Sequence, residues 1–403
     1  MKRKELPEEW EWKKLGELLE IKSGYGFPER YQGKTDGDVP FFKVSDLARA
    51  VDSGSCHLEN SNNYVTNDEC KKLGYKALKK GTIVFAKIGM AIRLNRRAIL
   101  KQDSLIDNNM MGVLNKSTLL DDLFLYYFLR SLKFEDYSRG TTAPSLRKSD
   151  IDQIQIPLPP INSQQQIVAI LNKAEATQRL QAEADALMQQ LVQSVYISIF
   201  GDPVSNPQGW DIVSLESVCK KITDGEHVTP KRTQSGIYLL SARNIKDHEI
   251  DLSDVDYIDQ DEYNRISKRI IPQKGDVLIS CSGSVGRVSQ VTDDMKFQMV
   301  RSVALIRPDN QKLDSTYLEY TFDTNYLKAQ IAQSVNQSSQ ANLFQNKIRK
   351  LRIPVPPMHL QKIFVDVAVR KGRISEKQRL NSTKTQTLYN SLLSKAFTGE
   401  LVP

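Results

Sequence analysis

The chain repeats itself. Trp10, Leu15 and Leu18 return as Trp210, Leu215 and Val218, Gly24 returns as Gly225, and Tyr64 in YVTNDE returns as Tyr257 in YIDQDE. Lys80-Gly81 matches Lys274-Gly275, and Arg93 matches Arg287. IPLPP (Ile156 to Pro160) matches IPVPP (Ile353 to Pro357), Gln164 matches Gln361, and Phe200 in FGDP matches Phe397 in FTGE. The offset drifts, as loop insertions cause, and settles near about 197 residues. An ordered series of matches at one period is a duplication, so the fold must be two copies of one scaffold. Between the landmarks the copies diverge: KSGYGFPERYQGKTDG stands against TDGEHVTPKRTQSG. A kept frame with changed loops points to two related sites that read different things.

Each copy has two parts. The first mixes turns with strand-like runs: DVPFFKVSDL and TIVFAKIG in one copy, GIYLLSARNI and DVLISCSG in the other. Leu120 to Leu132 and Leu313 to Phe322 have helical spacing. The pattern is α+β, not a run of βαβ units. Pro157, Pro159 and Pro160, like Pro354, Pro356 and Pro357, predict a stiff connector that continues no strand ladder. A long helix follows in each copy. Ile167, Ile170, Ala174, Thr177, Leu180, Ala184, Leu187, Leu191 and Val195 form a coiled-coil-like seam in the first. Ile363, Val367, Ile374, Leu388 and Leu392 form a similar stripe in the second, interrupted at Gly372.

A helix of about 40 residues is roughly 60 Å long and too narrow to bury its stripe alone, so the two helices are expected to pair. Domain ends usually lie close together, which makes the pairing antiparallel and puts the domains at opposite ends of a rod. The expected domains are 1–155, then connector and helix over 156–203, then 204–352, then connector and helix over 353–403. The fold class expected is α+β: two pseudo-symmetric α+β domains separated by an antiparallel coiled coil of two long helices.

Composition narrows the chemistry. Four cysteines and four histidines lack metal-ligand or CxxC spacing, so no disulfide framework or metal centre is expected. No long apolar run or signal peptide is read, so the expected location is cytoplasmic, with no membrane role. Gly33-Lys34-Thr35 lacks the earlier glycine of a phosphate loop, since Pro28 stands there. Asn206-Pro207-Gln208-Gly209-Trp210 lacks the second proline and adjacent aromatic of a catalytic adenine-methylation loop. Intrinsic catalysis is not expected. Lys and Arg (56) against Asp and Glu (48) give a net charge of +8, which permits a polyanionic partner without demanding one.

Each domain opens with Pro-x-x-Trp-x-x-x-x-Leu (Pro7 to Leu15, Pro207 to Leu215). Each closes with Ile-Pro-hydrophobic-Pro-Pro followed by Gln164 or Gln361, then a long helix ending in Phe-Thr-Gly-Glu-Leu or its variant. This combination resembles the DNA-specificity subunit of type I restriction-modification systems. Two departures are the FGDP ending of helix one and the INSQQQ run after the first prolines. The resemblance implies that each domain is a target recognition domain for double-stranded DNA and that the helices are a spacer. It implies two methylation subunits, together an N6-adenine methyltransferase using S-adenosylmethionine, and two restriction/translocase subunits using ATP and Mg. No cofactor is implied for this chain. The bound site would be asymmetric and bipartite. The alternatives are a specificity subunit of a methylation-only or phage-defence system, or a protein scaffold that does not touch DNA.

Base reading needs polar and basic side chains on loops. In the first domain the candidates are Lys22, Tyr25, Lys43, Ser45, Lys87, Arg93, Arg96, Arg97, Thr141, Thr142, Ser145 and Arg147. In the second they are His227, Lys231, Arg232, Arg243, Asn244, Ser282, Ser284, Arg287, Asn336 and Gln337. Ile199, Phe200, Phe397 and Leu401 are candidates for docking the methylation subunits.

Overall fold

The computed structural model describes residues 6–140, 144–336 and 342–402. They form two compact units, Met1–Glu183 with Arg379–Pro403, and Ala184–Gln378. The boundaries fall inside the two long helices, Ile161–Phe200 and Met358–Ala396, so each unit holds one globular part and a segment of both helices. No helix among the described residues is long and apolar enough to cross a membrane.

In the first unit a five-stranded sheet runs in the order Leu19–Ser23, Met110–Asn115, Ile83–Ala86, Arg97–Leu100, His57–Leu58. A smaller sheet joins Tyr64–Val65, Val39–Phe42 and Leu105–Ile106. The strand runs read from the sequence form because β-branched and aromatic residues fit a covered pleated surface: all four residues of Ile83–Ala86 are buried. Ile21, Phe85, Met111 and Val113 pack with Phe124 and Leu125 of the helix Asp122–Ser131. That helix begins where Asp121 Oδ1 accepts from the backbone N–H of Leu123 and Phe124, both at 2.9 Å, which satisfies two otherwise orphaned donors. Both long helices enter this core, through Ile167, Val168 and Leu171 of the first and Ala396 of the second. Gln178 Nε2 donates to Gln386 Oε1 at 3.1 Å, and Arg130 meets both Glu175 and Tyr389, so the first segment ascends as the second descends and the two run antiparallel here.

The second unit repeats the plan. Its main sheet runs Cys219–Asp224, Val303–Pro308, Val277–Ser280, Val288–Gln290, and its smaller sheet Asp256–Ile258, Ile237–Leu240, Phe297–Met299. Asp314 caps the helix Ser315–Phe322 as Asp121 caps its counterpart. Val192, Tyr196 and Phe200 of the first long helix share a core with Phe364 and Ala368 of the second.

Three sequence expectations change. The proline runs do not lie outside strand ladders. Gln155–Leu158 pairs antiparallel with Glu11–Lys14, with Pro157 opposite Trp12, and Arg352–Pro354 pairs with Ile212–Ser214. Each ladder is two-stranded, and an edge strand tolerates a residue without an N–H. The start and finish of each globular part are thereby stitched together. The helix seams also hold only in part: Ile167 and Leu392 pack into the first unit's core, but the middle of each seam faces outward. Leu180, Leu187 and Leu191 are exposed, as are Ile363, Ile374 and Leu388. The inward positions are Gln164, Ile167, Leu171, Val192, Tyr196 and Phe200 on the first helix, and Gln361, Phe364, Ala368, Tyr389 and Ala396 on the second. Between them the half-buried positions are mixed, Gln178, Gln181 and Asp185 beside Ala174, Ala176 and Met188, so an apolar count alone does not find the covered face. Gly372 does not break the second helix, which is continuous through it.

Candidate nucleic-acid interface

One end of each main sheet gathers the variable loops. In the first unit, Leu19–Ser23 and Ile83–Ala86 end there and Met110–Asn115 begins there, since Ser23 pairs with Met111 and Ala86 with Met110. Gly24 N donates to Met110 O (3.1 Å), Lys87 N to Asn109 O (2.8 Å), and Leu146 N to Lys87 O (2.9 Å). The second unit makes the same bonds: Gly225 N to Val303 O (2.9 Å), Cys281 N to Ser302 O (2.8 Å), and Leu343 N to Cys281 O (2.8 Å). The Gly24–Gly225 match now has a cause. A Cβ on Gly24 would stand 2.1 Å from Asp107 O, and one on Gly225 would stand 2.4 Å from Met299 O. Only glycine lets these strands approach so closely.

Among the first unit's candidates, Tyr25, Lys43, Ser45, Lys87 and Ser145 lie on segments at this end. Tyr25 stacks on Tyr75 with centroids 4.3 Å apart, and its hydroxyl accepts from Lys76 N. Lys43 donates to Gln32 Oε1 at 2.9 Å and sits over the Phe27 ring. Ser45 is exposed, and Ser145 is half-buried in bridges to Ile88 and Arg139. Lys87 is half-buried; desolvation lowers the pKa of its ammonium, against the pull of Asp107. Lys22 lies within a strand and pairs with Glu20 at 2.7 Å. Arg93 pairs with Glu135 at 2.8 Å, Arg96 grips both oxygens of Asp52, and Arg147 is exposed at the start of Lys148–Asp152. Thr141 and Thr142 lie outside the described residues.

Arg97 is a correction. It is 2% exposed, donates to the carbonyls of Asn95 and Leu132, and lies 4.0 Å over the Phe134 ring. Burial, with Arg130 nearby, pushes its pKa down to about 9. Such a group holds the core and reaches no groove. The pairing of Arg93 with Arg287 is corrected too. Phe85 faces Arg97 and Ile279 faces Val288, so Arg287 corresponds to Arg96.

In the second unit His227, Ser282, Ser284, Arg243 and Arg287 lie on the gathered segments. His227 is exposed, with Nε2 2.8 Å from Asp224 Oδ2. It shares with Ser282, Arg301, Asn342 and Phe344 the lining of an open cavity of about 560 Å³. Ser284 is exposed and Arg287 half-buried. Arg232 and Arg243 both hold Asp256 at 3.0 Å, and Lys231 is exposed while its backbone N–H donates to Glu262. Asn244 is a correction. It is 1% exposed, its Oδ1 accepts from Ser241 N, and its Nδ2 donates to the carbonyls of Asp251 and Asp254, so it shapes the turn. Asn336 ends the helix Asn325–Asn336, and Gln337 lies outside the described residues.

The sequence reading missed Asn108, Arg301 and Phe344, all exposed on these segments. An Asp-Asn-Asn run between apolar stretches was the available turn signal for the first. Arg301 lacked one, because Arg-Ser between valines reads as strand.

Of the apolar docking candidates Phe200 is corrected, being buried, while Ile199, Phe397 and Leu401 are half-buried. Phe200 is buried in the second unit's core, with Ile199 packed against it, and Phe397 and Leu401 pack on the first unit's core. Helix ends fold back on their own domains because the apolar surface there would otherwise face water. The long helices leave apolar side chains exposed along their shafts, among them Leu187, Leu191 and Ile363 of the second unit and Leu180, Leu380 and Leu388 of the first. Among the described residues no cluster of three His, Cys, Asp or Glu could hold a metal ion.

The family model of the type I restriction modification DNA specificity domain matches residues 7–187 and again 207–382. The chain is 20% identical to the type I restriction enzyme MjaVIII specificity subunit of Methanocaldococcus jannaschii, over 98% of this chain and 94% of that one. It is 20% identical to the EcoBI specificity subunit of Escherichia coli, over 96% and 85%. The crystal structure of a type I restriction-modification S subunit from M. genitalium shares its fold, with a TM-score of 0.60 at 15% identity over 98% of both chains. The chain therefore belongs to the DNA-specificity subunits of type I restriction-modification systems, non-catalytic members whose catalytic activities lie in other subunits.

Proposed function

We propose that each unit reads one half of an asymmetric, bipartite site in double-stranded DNA, with the long helices setting the gap. One observation carries this reading. The same backbone bonds build the same loop cluster in both units, while the side chains at matched positions differ: half-buried Lys87 against buried Cys281, Ser145 against Asn342, exposed Arg147 against exposed Phe344. A conserved mount with exchanged heads is what two unlike readers require.

The chain positions two methylation subunits, which supply N6-adenine transfer from S-adenosylmethionine, and two ATP- and Mg-dependent restriction/translocase subunits. Their docking surface includes the exposed shaft residues. Leu180, Leu187 and Leu191 recur at seven and four residues, which places them on one helix face.

Mapping N6-methyladenine across the genome of cells carrying this chain and its methylation partner tests the first reading. The expected map is one two-part motif with unlike halves and a fixed gap; a continuous motif, or none, refutes it. Leu187→Asp with Leu191→Asp tests docking: the folded variant is expected to lose capture of the methylation subunit, and undiminished capture refutes it.

A further inference from the structure

The turns Asp107–Met110 and Val300–Val303 are the same structure in the two units. Each closes on itself, Met110 N donating to Asp107 O at 2.9 Å and Val303 N to Val300 O at 3.0 Å. Each is pinned to neighbouring segments. Asp107 N donates to Phe42 O and Val300 N to Leu240 O, while Asn109 O and Ser302 O accept from Lys87 N and Cys281 N. The second turn is held further by Arg301 N donating to Glu226 O (2.9 Å) and Ala242 N to Ser302 Oγ (3.0 Å). A tip residue on such backbone is presented without loop ordering still to be lost.

Asn108 and Arg301 occupy the same place at these tips, and both are exposed. Among the described residues, neither side chain makes a hydrogen bond or ion pair. Four other arginines of the second unit are committed, Arg232 and Arg243 to Asp256, Arg265 to Glu262 and Arg269 to Asp224, while Arg287 on the neighbouring segment is half-buried where Arg301 is exposed. An unspent amide and an unspent guanidinium are the two heads with the sharpest base preferences in the major groove. Asn pairs with adenine N6 and N7, and Arg with guanine O6 and N7.

We propose that Asn108 and Arg301 read bases at corresponding places in the two half-sites, Asn108 an adenine and Arg301 a guanine. This rests on the reading of each unit as a half-site reader.

The test maps N6-methyladenine in cells carrying the full chain and its methylation partner. The wild-type map comes first, and without a two-part motif the half-site reading itself fails. Given that motif, Arg301→Ala is expected to relax one G·C pair in one half, losing about 5- to 150-fold discrimination there. The other half stays unchanged. Arg301→Gln is expected to move preference at that pair toward A·T, because Gln favours adenine. Asn108→Ala is expected to relax one A·T pair in the opposite half. Uniform loss of methylation with an unchanged motif would make these phosphate contacts and overturn the proposal. An unchanged map, or relaxation at other pairs, overturns it as well. A second measurement needs no variant. Replacing the guanine of the G·C pair at Arg301's place with 7-deazaguanine removes one acceptor and should weaken binding by the wild-type complex several-fold. Equal binding overturns the assignment of Arg301.

Discussion

Gln164 and Gln361, matched positions in the two copies, are both fully buried and make the same three hydrogen bonds. Gln164 Oε1 accepts from Asp121 N at 2.8 Å, and its Nε2 donates to Leu119 O and Pro159 O at 2.7 and 2.8 Å. Gln361 Oε1 accepts from Asp314 N at 2.8 Å, and its Nε2 donates to Lys312 O and Pro356 O at 3.1 and 2.8 Å. One side chain thus ties the proline run, the start of a long helix and the cap of the neighbouring helix. Gln164→Leu roughly keeps the volume but leaves one buried and two part-buried polar groups without their partner. It should cost about 1–3 kcal/mol in urea unfolding of the first unit. Exposed Gln165→Leu is the control, and equal midpoints for the two variants would show that the network contributes nothing.

Much of this frame was legible. The repeat located Gln164, Gln361, both proline runs and both glycines, because backbone-level constraints keep residue identity through a duplication. The strand and helix runs were legible where burial was complete, as in Ile83–Ala86. The long helices misled because their inward side is partly polar. Phe200 misled because an apolar residue at a helix end looks the same whether it faces a partner or its own core. The candidate site was legible as loops but not as residues. Arg97 and Asn244 carry a reader's chemistry but are consumed inside the fold, and sequence does not record burial. Arg301 was hidden because its turn is built by bonds to distant segments.

Gly24→Ala should displace the loop after Leu19–Ser23 from the Asp107–Met110 turn. The added Cβ meets two backbone carbonyls, those of Ile106 and Asp107, and backbone cannot swing aside as a side chain can. Overpacking of this kind costs about 1–3 kcal/mol. Hydrogen exchange at the residue 24 and 25 amides should accelerate, and DNA binding should fall while capture of the methylation partner persists. Gly26→Ala, with open space around it, should leave both unchanged. Wild-type exchange in Gly24→Ala would mean the close approach is not required.

Phe397 should behave as a core residue of the first unit. Its ring lies 5.2 Å from Phe124 and 5.3 Å from Phe128, as Phe200 lies 4.8 Å from Tyr317 in the second unit. Phe397→Ala should lower the unfolding free energy of the first unit by about 2–4 kcal/mol. Leu187→Asp should change stability by under about 1 kcal/mol. If Phe397→Ala melts like wild type yet loses partner capture, the ring belongs to a docking surface after all.

His248 should make the second unit more stable in mild acid than in mild base. Its Nε2 lies 2.6 Å from Asp323 Oδ2 and its Nδ1 3.3 Å from Glu319 Oε2, and its ring stacks on Tyr320 at 4.3 Å. Burial alone would lower its pKa, but the two carboxylates outweigh that and raise it from 6.5 to about 9. A pKa raised on folding stabilises through the protonated form. The contribution is therefore complete below about pH 6.5 and is lost as pH rises through about 9. Melting the full chain between about pH 6 and about pH 9.5 should show a loss of roughly 2–3 kcal/mol in the second unit's transition. His248 holds a positive φ of 62°, so His248→Asn is the suitable variant, since Asn tolerates that backbone without carrying a charge. The variant should start less stable in acid and lose little with pH. A slope identical to wild type would assign the pH dependence to other groups.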